Sequence, residues 1–441
     1  MDFSDPYSSI ILVTVIIILS FLFNAFSART NIPSVLLLIV AGIVLKQALD
    51  MIDAPDLDQY LFPVLELLGI VGLIMIVLEA ALDLELKAEK WPIIWKAFVV
   101  ALLGLLASTF AAAFIFMWFI DDIDFRTAML YATPISILSS AIIIPSVSNL
   151  VQDKKEFHIY ESTFSDILGI MQFYFLVGLM ENASEGGEGV AFLSFLGESL
   201  ATIAISIVAS YLLVFLFQNI RSHVKLFLLI AILILLYAIG KKFHLSSLII
   251  ILIFGLVLSN SSLFFQGVLK KFLKKDVVKH IEADFHIVTI ESAFVVRTFF
   301  FVIFGMTLSL GTLLNLDVLL ISSSVLASIY VVRALFLGLF VGKAIVPQLY
   351  IAPRGLVTVL LFFSIPDALK TDSFNSGILL FVIIATSIIM ALALISDGRR
   401  RALAQQLEKD PLIIPPEQIY KGFQNKWTQS PTETESNVSS S

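Results

Sequence analysis

The sequence predicts an all-α integral membrane protein with about thirteen transmembrane helices, each near the ~20 residues that cross a bilayer. Hydrophobic residues make up 59% of the 441 residues and charged residues 14%, whereas soluble domains carry roughly 25% charged residues. The apolar residues fall in long segments, and most charges lie between them. The chain has no cysteine, which excludes disulfides and cysteine-ligated metal centres.

The predicted spans follow one another along almost the whole chain. They cover residues 8–27, 32–49, 62–86, 92–120, 126–150, 157–180, 190–218, 223–241, 245–265, 284–310, 313–342, 347–367 and 374–397. The start of the chain is acidic, unlike that of a cleavable signal peptide, so the first segment is predicted to be a retained span. Residues 1–397 thus form a membrane domain. Residues 398–441 form a tail whose last ~15 residues are predicted to be disordered.

The charges of the connections predict which way the chain faces. Basic residues concentrate in alternate connections, at Arg29, Lys87, Lys154, Arg221, Lys270 and Arg399. Acidic residues dominate the others, at Asp53, Asp121 and Glu185. Because basic loops stay in the cytoplasm, we expect the N-terminus outside and the C-terminus in the cytoplasm. The membrane is expected to be a bacterial-type plasma (inner) membrane.

Two spans contain prolines that should interrupt them. The fifth span includes Thr133-Pro134, and the twelfth includes Pro353-Arg354-Gly355. Proline removes a backbone donor and disrupts the helical hydrogen-bond ladder. Broken backbone is tolerated at membrane depth only where it is buried or lines a cavity. We therefore expect breaks that leave free carbonyl oxygens in the fifth span; the alternative is a pair of unrelated proline kinks.

The two interrupted spans are an odd number of spans apart, which gives them opposite orientations. This arrangement predicts two inverted repeats, at about residues 8–180 and 223–397. In inverted-repeat folds, paired broken helices in corresponding positions mark the binding site of a secondary transporter. The predicted site therefore lies between the fifth and twelfth spans.

Asp166 is the strongest candidate site residue. It lies within the sixth apolar span, and ionisable residues inside spans usually serve ion or proton paths. A carboxylate withdrawn from water favours its protonated form, whereas a nearby cation favours the ionised form, so one residue can hold either. Alkali cations prefer oxygen ligands, which makes Thr133, Ser162 and Ser165 candidate hydroxyl ligands. The alternative for Asp166 is a structural hydrogen-bonding residue.

Other ionisable residues lie in or near the spans. Glu79, near the end of the third span, is either a residue of the ion path or an ordinary acidic helix end. Arg297 lies deep in the tenth span and needs a partner, for which Glu79 and Glu291 are both candidates. The histidines fall near span ends and are expected to be solvated: His158, His223, His244, His280 and His286.

Four segments together resemble one protein superfamily. They read LEAALDLELK at 78–87, ESTFSD at 161–166, YVVRA at 330–334 and PRGLV at 353–357. The first is similar to the pattern F-E-G-G-L-x-L-D-L-R, the second to E-S-L-x-N-D, and the others to A-R and L-R-G elements. By these motifs and their order the chain resembles the monovalent cation:proton antiporter superfamily, most closely its CPA1, NhaP-like sodium/proton exchanger branch.

The resemblance implies an NhaA-like fold of inverted repeats with two broken crossing helices. Spans four to six and eleven to thirteen, about residues 92–180 and 313–397, would form a mobile core. Spans one to three and seven to ten would form a scaffold and the contact of a homodimer. The implied activity is exchange of Na⁺, K⁺ or both for protons. The implied partners are membrane lipid and the transported cation, without nucleic acid, cofactor or resident metal.

The resemblance also implies individual roles. It pairs Glu161 with Arg333 as a structural ion pair and gives Arg354 a structural role among unwound carbonyls. This chain departs from the family at two positions. Ser165 stands where the family has Asn, and Thr133 is not followed by the Asp of the family's Thr-Asp-Pro. These departures remove ligands and leave the choice between Na⁺ and K⁺ open.

Ser165 also bears on stoichiometry. In the superfamily, adjacent aspartates accompany electrogenic exchange and Asn-Asp accompanies electroneutral exchange. With the uncharged Ser165 before Asp166, we expect electroneutral, one-for-one exchange, unless Glu79 titrates as well. Two other functions use related folds: a cation channel or ion-gated sensor, and a symporter of an organic anion with sodium. A single Asp beside Ser and Thr favours a small cation.

Overall fold

The computed structural model of the chain is helical and has no strand in the residues that it describes. These are residues 6–30, 34–51, 58–84, 86–147, 150–182, 188–220, 225–242, 247–266, 274–307, 311, 315–342, 345–371 and 373–409. The chain divides into two compact units, Met1–Ala393 and Leu394–Ser441. An all-helical membrane protein is thus confirmed.

A helix lies at the position of each predicted span. The helices are α1 (Pro6–Thr30), α2 (Ser34–Met51), α3 (Asp58–Asp83), α4 (Trp91–Phe119), α5 (Phe125–Ser136), α6 (Ser140–Ser146), α7 (Gln152–Asn182), α8 (Glu188–Phe217), α9 (Lys225–Lys242), α10 (Ser247–Ser259), α11 (Ser261–Phe264), α12 (Lys275–Thr307), α13 (Leu316–Phe340), α14 (Leu356–Phe363) and α15 (Gly377–Lys409). Among the described residues, seven helical segments are long and apolar enough to cross a membrane, and four shorter apolar helices accompany them. The total of about thirteen spans stays a prediction.

Two helices extend beyond their predicted ends. Helix α12 begins at Lys275 rather than at residue 284, and α15 runs to Lys409 rather than to residue 397. Both extensions contain charged residues among good helix formers such as Ala, Leu, Glu and Lys. The length of an apolar segment indicates which residues can lie in a bilayer, but it does not indicate where the helix ends. The predicted disordered end falls in residues 410–441, outside the described residues.

The helices of the first unit pack in two groups. In the first group, called the core bundle, α4 packs against α5, α7 and α13, while α7 also packs against α6 and α14. In the second group, called the scaffold bundle, α12 packs against α2 and α3, and α10 packs against α3, α8 and α9; α1 packs against α2 and α12. Helices α3, α8 and α10 also contact α7. Motion between the bundles stays a prediction.

The fifth span is discontinuous, but not at its prolines. Helix α5 ends at Ser136 and α6 begins at Ser140, with extended backbone at Ile137 and Ser139. Pro134 lies inside α5 and Pro145 inside α6. The interruption of the fifth span therefore lies between Ser136 and Ser140, after Pro134 and not at the proline itself. The break lies where distant residues provide partners for the backbone.

The twelfth span has a short helix that follows non-helical backbone. A single 3₁₀ turn at Gln348–Tyr350 is followed by non-helical residues 351–355, and α14 begins at Leu356. Pro353 and Arg354 lie in this non-helical segment. Both interrupted spans thus bring non-helical backbone into the interior of the core bundle.

The scaffold bundle contains a close helix crossing. Gly42 of α2 faces Gly305 of α12, and a Cβ placed on Gly42 would meet the Val302 carbonyl oxygen and lie 2.9 Å from the Gly305 Cα. A Cβ on Gly305 would likewise meet the Ile39 carbonyl oxygen. Two glycines therefore let the helix backbones touch, as small residues do at crossings in membranes.

The close contact at this crossing predicts that adding one methyl group at Gly42 lowers stability. Gly42→Ala should lower the melting temperature in detergent, because overpacking a close contact costs about 1–3 kcal/mol. The matched control is Gly104→Ala on α4, where a Cβ meets no atom within 4 Å and alanine is the better helix former. Equal melting temperatures for the two variants would contradict the packing assigned to Gly42.

Candidate functional site

The two interrupted spans meet at a backbone hydrogen bond. The Ser139 amide, at the break of the fifth span, donates to the Pro353 carbonyl oxygen at 3.0 Å. Gly355 permits this approach, since a Cβ placed there would lie 2.5 Å from Ser139 Oγ and 2.8 Å from Ile142 Cδ1. The crossing point is therefore built from residues that are far apart in sequence.

Asp166 lies beside this crossing point and is 3% exposed. Its Oδ2 accepts a hydrogen bond from the Ser140 amide at 3.2 Å. Its Oδ1 is buried and has no hydrogen-bond partner among the described residues. A buried carboxylate with one free oxygen can take a proton or a cation there, because either one relieves the cost of an unpaired charge.

The three hydroxyl groups predicted as cation ligands each make a hydrogen bond within the protein. Ser165 Oγ accepts from the Leu138 amide at 3.0 Å and so holds the break. Ser162 Oγ donates to the His158 carbonyl at 2.7 Å. Thr133 Oγ1 donates to the Met129 carbonyl at 2.8 Å and accepts from Gln172 Nε2 at 3.1 Å. The structure brings Ser165 to the break, and it gives Thr133 and Ser162 no bond to Asp166 in the described part of the chain.

Arg354 donates hydrogen bonds to carbonyl oxygens next to the break in the fifth span. Its guanidinium donates to the carbonyl oxygens of Ile135 at 2.7 Å, Ala352 at 2.8 Å and Ser136 at 3.2 Å. Its own amide donates to Thr386 Oγ1 at 3.1 Å. The carbonyl oxygens of Ile135 and Ser136 are thus hydrogen-bonded to a guanidinium.

Glu161 and Arg333 are in contact within the core bundle. Arg333 donates through two nitrogens to the two oxygens of Glu161, at 2.8 and 3.0 Å, and through Nε to the Gln348 carbonyl at 3.1 Å. His158 Nδ1 lies 3.1 Å from Glu161 Oε2. His158 is 0% exposed, so the expectation that it is solvated is wrong. Helix α7 begins at Gln152, which places His158 well inside the packed helix.

Glu79 and Arg297 form a second ion pair, between α3 and α12. Arg297 lies 3.0 Å from Glu79 Oε2 and also donates to the Ala141 carbonyl at 3.2 Å. Of the two candidate partners of Arg297, the structure thus selects Glu79 rather than Glu291. These residues line a pocket, which Ser140 also lines. Because Ala141 belongs to α6, Arg297 joins the scaffold bundle to the core bundle.

His286 is 34% exposed and pairs with an acidic residue of α3. Its Nε2 lies 2.8 Å from Asp83 Oδ1, one turn beyond Glu79 on α3. Together, Asp83 and Glu79 give this part of the bundle interface two acidic residues with basic partners from α12.

Sequence reasoning missed several residues of the site. Ser139 and Ser140 form the end of the break, and Gln172 bridges Thr133 with Thr109. The only sequence signal for the serines was an adjacent polar pair within an apolar segment. A signal of this kind is weak, because helices in membranes often contain serine.

The chain matches one family model, described as sodium/hydrogen exchanger, transmembrane, over residues 12–395. No curated protein matches it. Among solved structures it is similar to MjNhaP1, a sodium proton antiporter of Methanocaldococcus jannaschii, at pH 8. The TM-score is 0.63 at 19% identity, covering 89% of this chain and 99% of that one. A three-dimensional electron-microscopy map of MjNhaP1 gives a TM-score of 0.61 at 20% identity, with 92% and 99% covered. At these identities the likeness establishes the fold alone.

The buried pair predicts a measurable coupling. Glu161→Gln and Arg333→Met should each lower stability by about 3–5 kcal/mol, because each leaves an uncompensated charge in the interior. The double variant should recover part of the loss, so a double-mutant cycle of detergent melting is the measurement. Lys370→Met, which removes a surface pair with Asp367, should leave melting unchanged. Strictly additive losses would show that Glu161 and Arg333 do not interact.

Proposed function

The chain belongs to the sodium/hydrogen exchanger family, and on this premise we propose that it exchanges Na⁺, K⁺ or both for protons across a membrane. The observation that carries the proposal is Asp166. This buried carboxylate has one oxygen bonded to the Ser140 amide and a second oxygen with no protein partner among the described residues. MjNhaP1, which shares the fold, is a sodium proton antiporter.

Competition at Asp166 supplies the coupling. A proton neutralises the carboxylate outright, whereas a bound cation stabilises the ionised form. The two ligands therefore exclude each other at one site. A cation that arrives from one side displaces the proton towards that side, and the reverse occurs after the site has changed sides.

Alternating access is proposed to arise from movement of the core bundle against the scaffold bundle, as in an elevator. Asp166 and both interrupted spans belong to the core bundle and are joined by hydrogen bonds, which favours their moving together. The bond from Arg297 to the Ala141 carbonyl connects the two bundles. This bond must break when the core bundle moves, whereas the pair of Arg297 with Glu79 stays within the scaffold bundle.

The same contacts support electroneutral exchange. Ser165 adds no charge beside Asp166, and Glu79 is already paired with Arg297. A proton that arrived on Glu79 would break this ion pair, so the proposal leaves Asp166 as the only group that carries a transported proton. No cofactor or resident metal takes part in the proposed cycle.

The proposal also includes the membrane in which the protein lies, the orientation of its termini and its contact with a second copy. The basic connections favour a bacterial-type plasma membrane with the N-terminus outside and the C-terminus in the cytoplasm. Helices α1 and α8 expose large apolar side chains such as Phe21 and Val208, which suit membrane lipid and the contact of a homodimer through the scaffold bundle. Residues 398–441 are proposed to form the cytoplasmic tail.

Removing the charge of Asp166 should abolish exchange. We expect purified Asp166→Asn in proteoliposomes to leave a pH gradient intact when Na⁺, K⁺ or Li⁺ is added, while its elution in gel filtration matches that of the unmodified protein. Asp317→Asn, at an exposed position of α13, serves as the matched amide control and should exchange normally. Continued cation-driven proton movement by the Asp166 variant would refute the proposed site.

One-for-one exchange predicts where net movement stops. In proteoliposomes with the cation and the proton both more concentrated on the same side, the two gradients drive exchange in opposite directions. Net proton flux should reverse where the two concentration ratios are equal, because each turnover moves one cation and one proton. The reversal point should not move when the membrane potential is changed. Glu79→Gln should reverse at the same gradient, whatever its rate. A reversal point that follows the potential would exclude electroneutral exchange, and its restoration by Glu79→Gln would assign a second proton to Glu79.

A further inference from the structure

A second pocket lies inside the core bundle, between α4 and α13. Its mouth is formed by Gly104 of α4 with Val332 and Phe336 of α13, all of which are partly exposed. Its floor includes Arg333 and Arg354. This α4–α13 pocket shares no residue with the pocket between the two bundles, and the exchange proposed above gives it no role.

The mouth of the α4–α13 pocket faces the surrounding membrane. Leu106, Val331 and Leu335, which neighbour the mouth residues in sequence, are exposed apolar side chains. Gly104 lies near the middle of α4, which places the mouth at the depth of the hydrocarbon. A Cβ placed on Gly104 would meet no atom within 4 Å, so the entrance is open there. A ligand that enters by this route must therefore dissolve in the bilayer.

The floor of the pocket has an excess of positive charge. Arg333 and Arg354 line it together with one carboxylate, that of Glu161, and all three side chains are buried. Glu161 pairs with Arg333. Arg354 donates to carbonyl oxygens and has no carboxylate partner in the described part of the chain. Because buried charges are normally paired, this floor favours an anionic ligand.

Both guanidinium groups keep donors for such a ligand. A guanidinium has five N–H groups. Arg333 uses three of them, on Glu161 and on one backbone carbonyl, and Arg354 uses three on backbone carbonyls. Two N–H groups of each arginine thus have no acceptor among the described residues. Ser165 also lines the pocket; its Oγ accepts from a backbone amide, so its hydroxyl hydrogen is available to donate.

We infer that the α4–α13 pocket binds the carboxylate of a single-chain fatty acid, whose hydrocarbon chain leaves through the mouth into the bilayer. A carboxylate forms strong, charge-assisted hydrogen bonds with guanidinium groups and supplies the negative charge that the floor lacks. A phospholipid does not fit, because its head group stays at the interface, about 15 Å from the centre of a hydrocarbon layer ~30 Å thick.

A fatty acid in this position would connect three parts of the core bundle. The pocket is lined by α4, by α13 and, through Arg354, by the non-helical segment of the twelfth span. Asp166 does not line it. The ligand would therefore stabilise the core bundle as a unit, which goes beyond the exchange of cations and protons at Asp166.

The first experiment compares ligands in nanodiscs of zwitterionic phosphatidylcholine that contain the full-length protein. Laurate should raise the melting temperature in a saturable manner, because a ligand that binds only the folded protein stabilises it. Lauryl alcohol and laurylamine have the same chain without the negative charge and should leave the melting temperature unchanged. Acetate and chloride have the charge without the chain and should also have no effect at the same concentrations.

These comparisons can contradict each half of the inference. Equal stabilisation by laurate and lauryl alcohol would show that the positive floor does not select the ligand. Equal stabilisation by laurate and either acetate or chloride would show that no hydrocarbon chain lies between α4 and α13.

Gly104→Leu tests the location of the site, since the added side chain fills the open entrance. The laurate concentration for half-maximal stabilisation should rise about tenfold or more, as for the loss of at least ~1.4 kcal/mol of binding. The matched control is Gly338→Leu, on the exposed side of α13, where a Cβ likewise meets no atom within 4 Å. Each shift is measured against the variant's own ligand-free melting temperature. An unchanged laurate response in Gly104→Leu, or equal losses in both variants, would overturn the inference.

Photolabelling locates the chain without any substitution. Laurate with a diazirine at the end of its chain should label α4 and α13 near Gly104 and Val332, and excess unlabelled laurate should displace it while lauryl alcohol should not. Labelling confined to the scaffold bundle, or labelling that laurate does not displace, would place the fatty acid elsewhere and refute the assigned site.

Discussion

Backbone groups released where a helix breaks inside a membrane must find partners within the protein, because hydrocarbon offers none. In the core bundle, Arg354 covers the last carbonyls of α5, and Ser165 and Asp166 accept the amides that follow the break. Asp166 is therefore part of what holds the break as well as the proposed ion ligand. A ligand that binds to its free oxygen acts directly on the contact between α6 and α7.

The positions of the helices could be predicted from the sequence, whereas the position of the break in the fifth span could not. Long apolar segments determine where helices form in a membrane, and the structure has a helix at each of them. Pro134 was visible in the sequence, but it lies inside α5. The break instead follows the positions of Pro353 and Ser165, which accept hydrogen bonds from the amides of Ser139 and Leu138. Such partners are distant in sequence, so no local pattern indicates them.

The same contrast applies to the site. Asp166, Glu161 and Arg333 stood out because charge inside apolar sequence is costly and rare. Hydroxyl groups did not stand out, since serine and threonine in helices usually bond to their own backbone. Only tertiary structure separates Thr133, which makes that local bond, from Thr163, which does not. The hydrogen-bond partners of each hydroxyl therefore depend on the tertiary structure and not on residue type alone.

The charges buried in the core bundle explain why it should not move without a ligand. Arg354 and Arg333 are cations, Glu161 pairs with Arg333, and Asp166 is the remaining buried carboxylate. A proton or a monovalent cation on Asp166 gives the bundle the same total charge, so the membrane potential acts equally on both loaded forms. The empty form differs in its local cost, since it must carry an ionised Asp166 with one unpaired oxygen through the interior. In the proposed cycle, the cost of an unpaired carboxylate in the interior therefore keeps the exchange of cation and proton coupled.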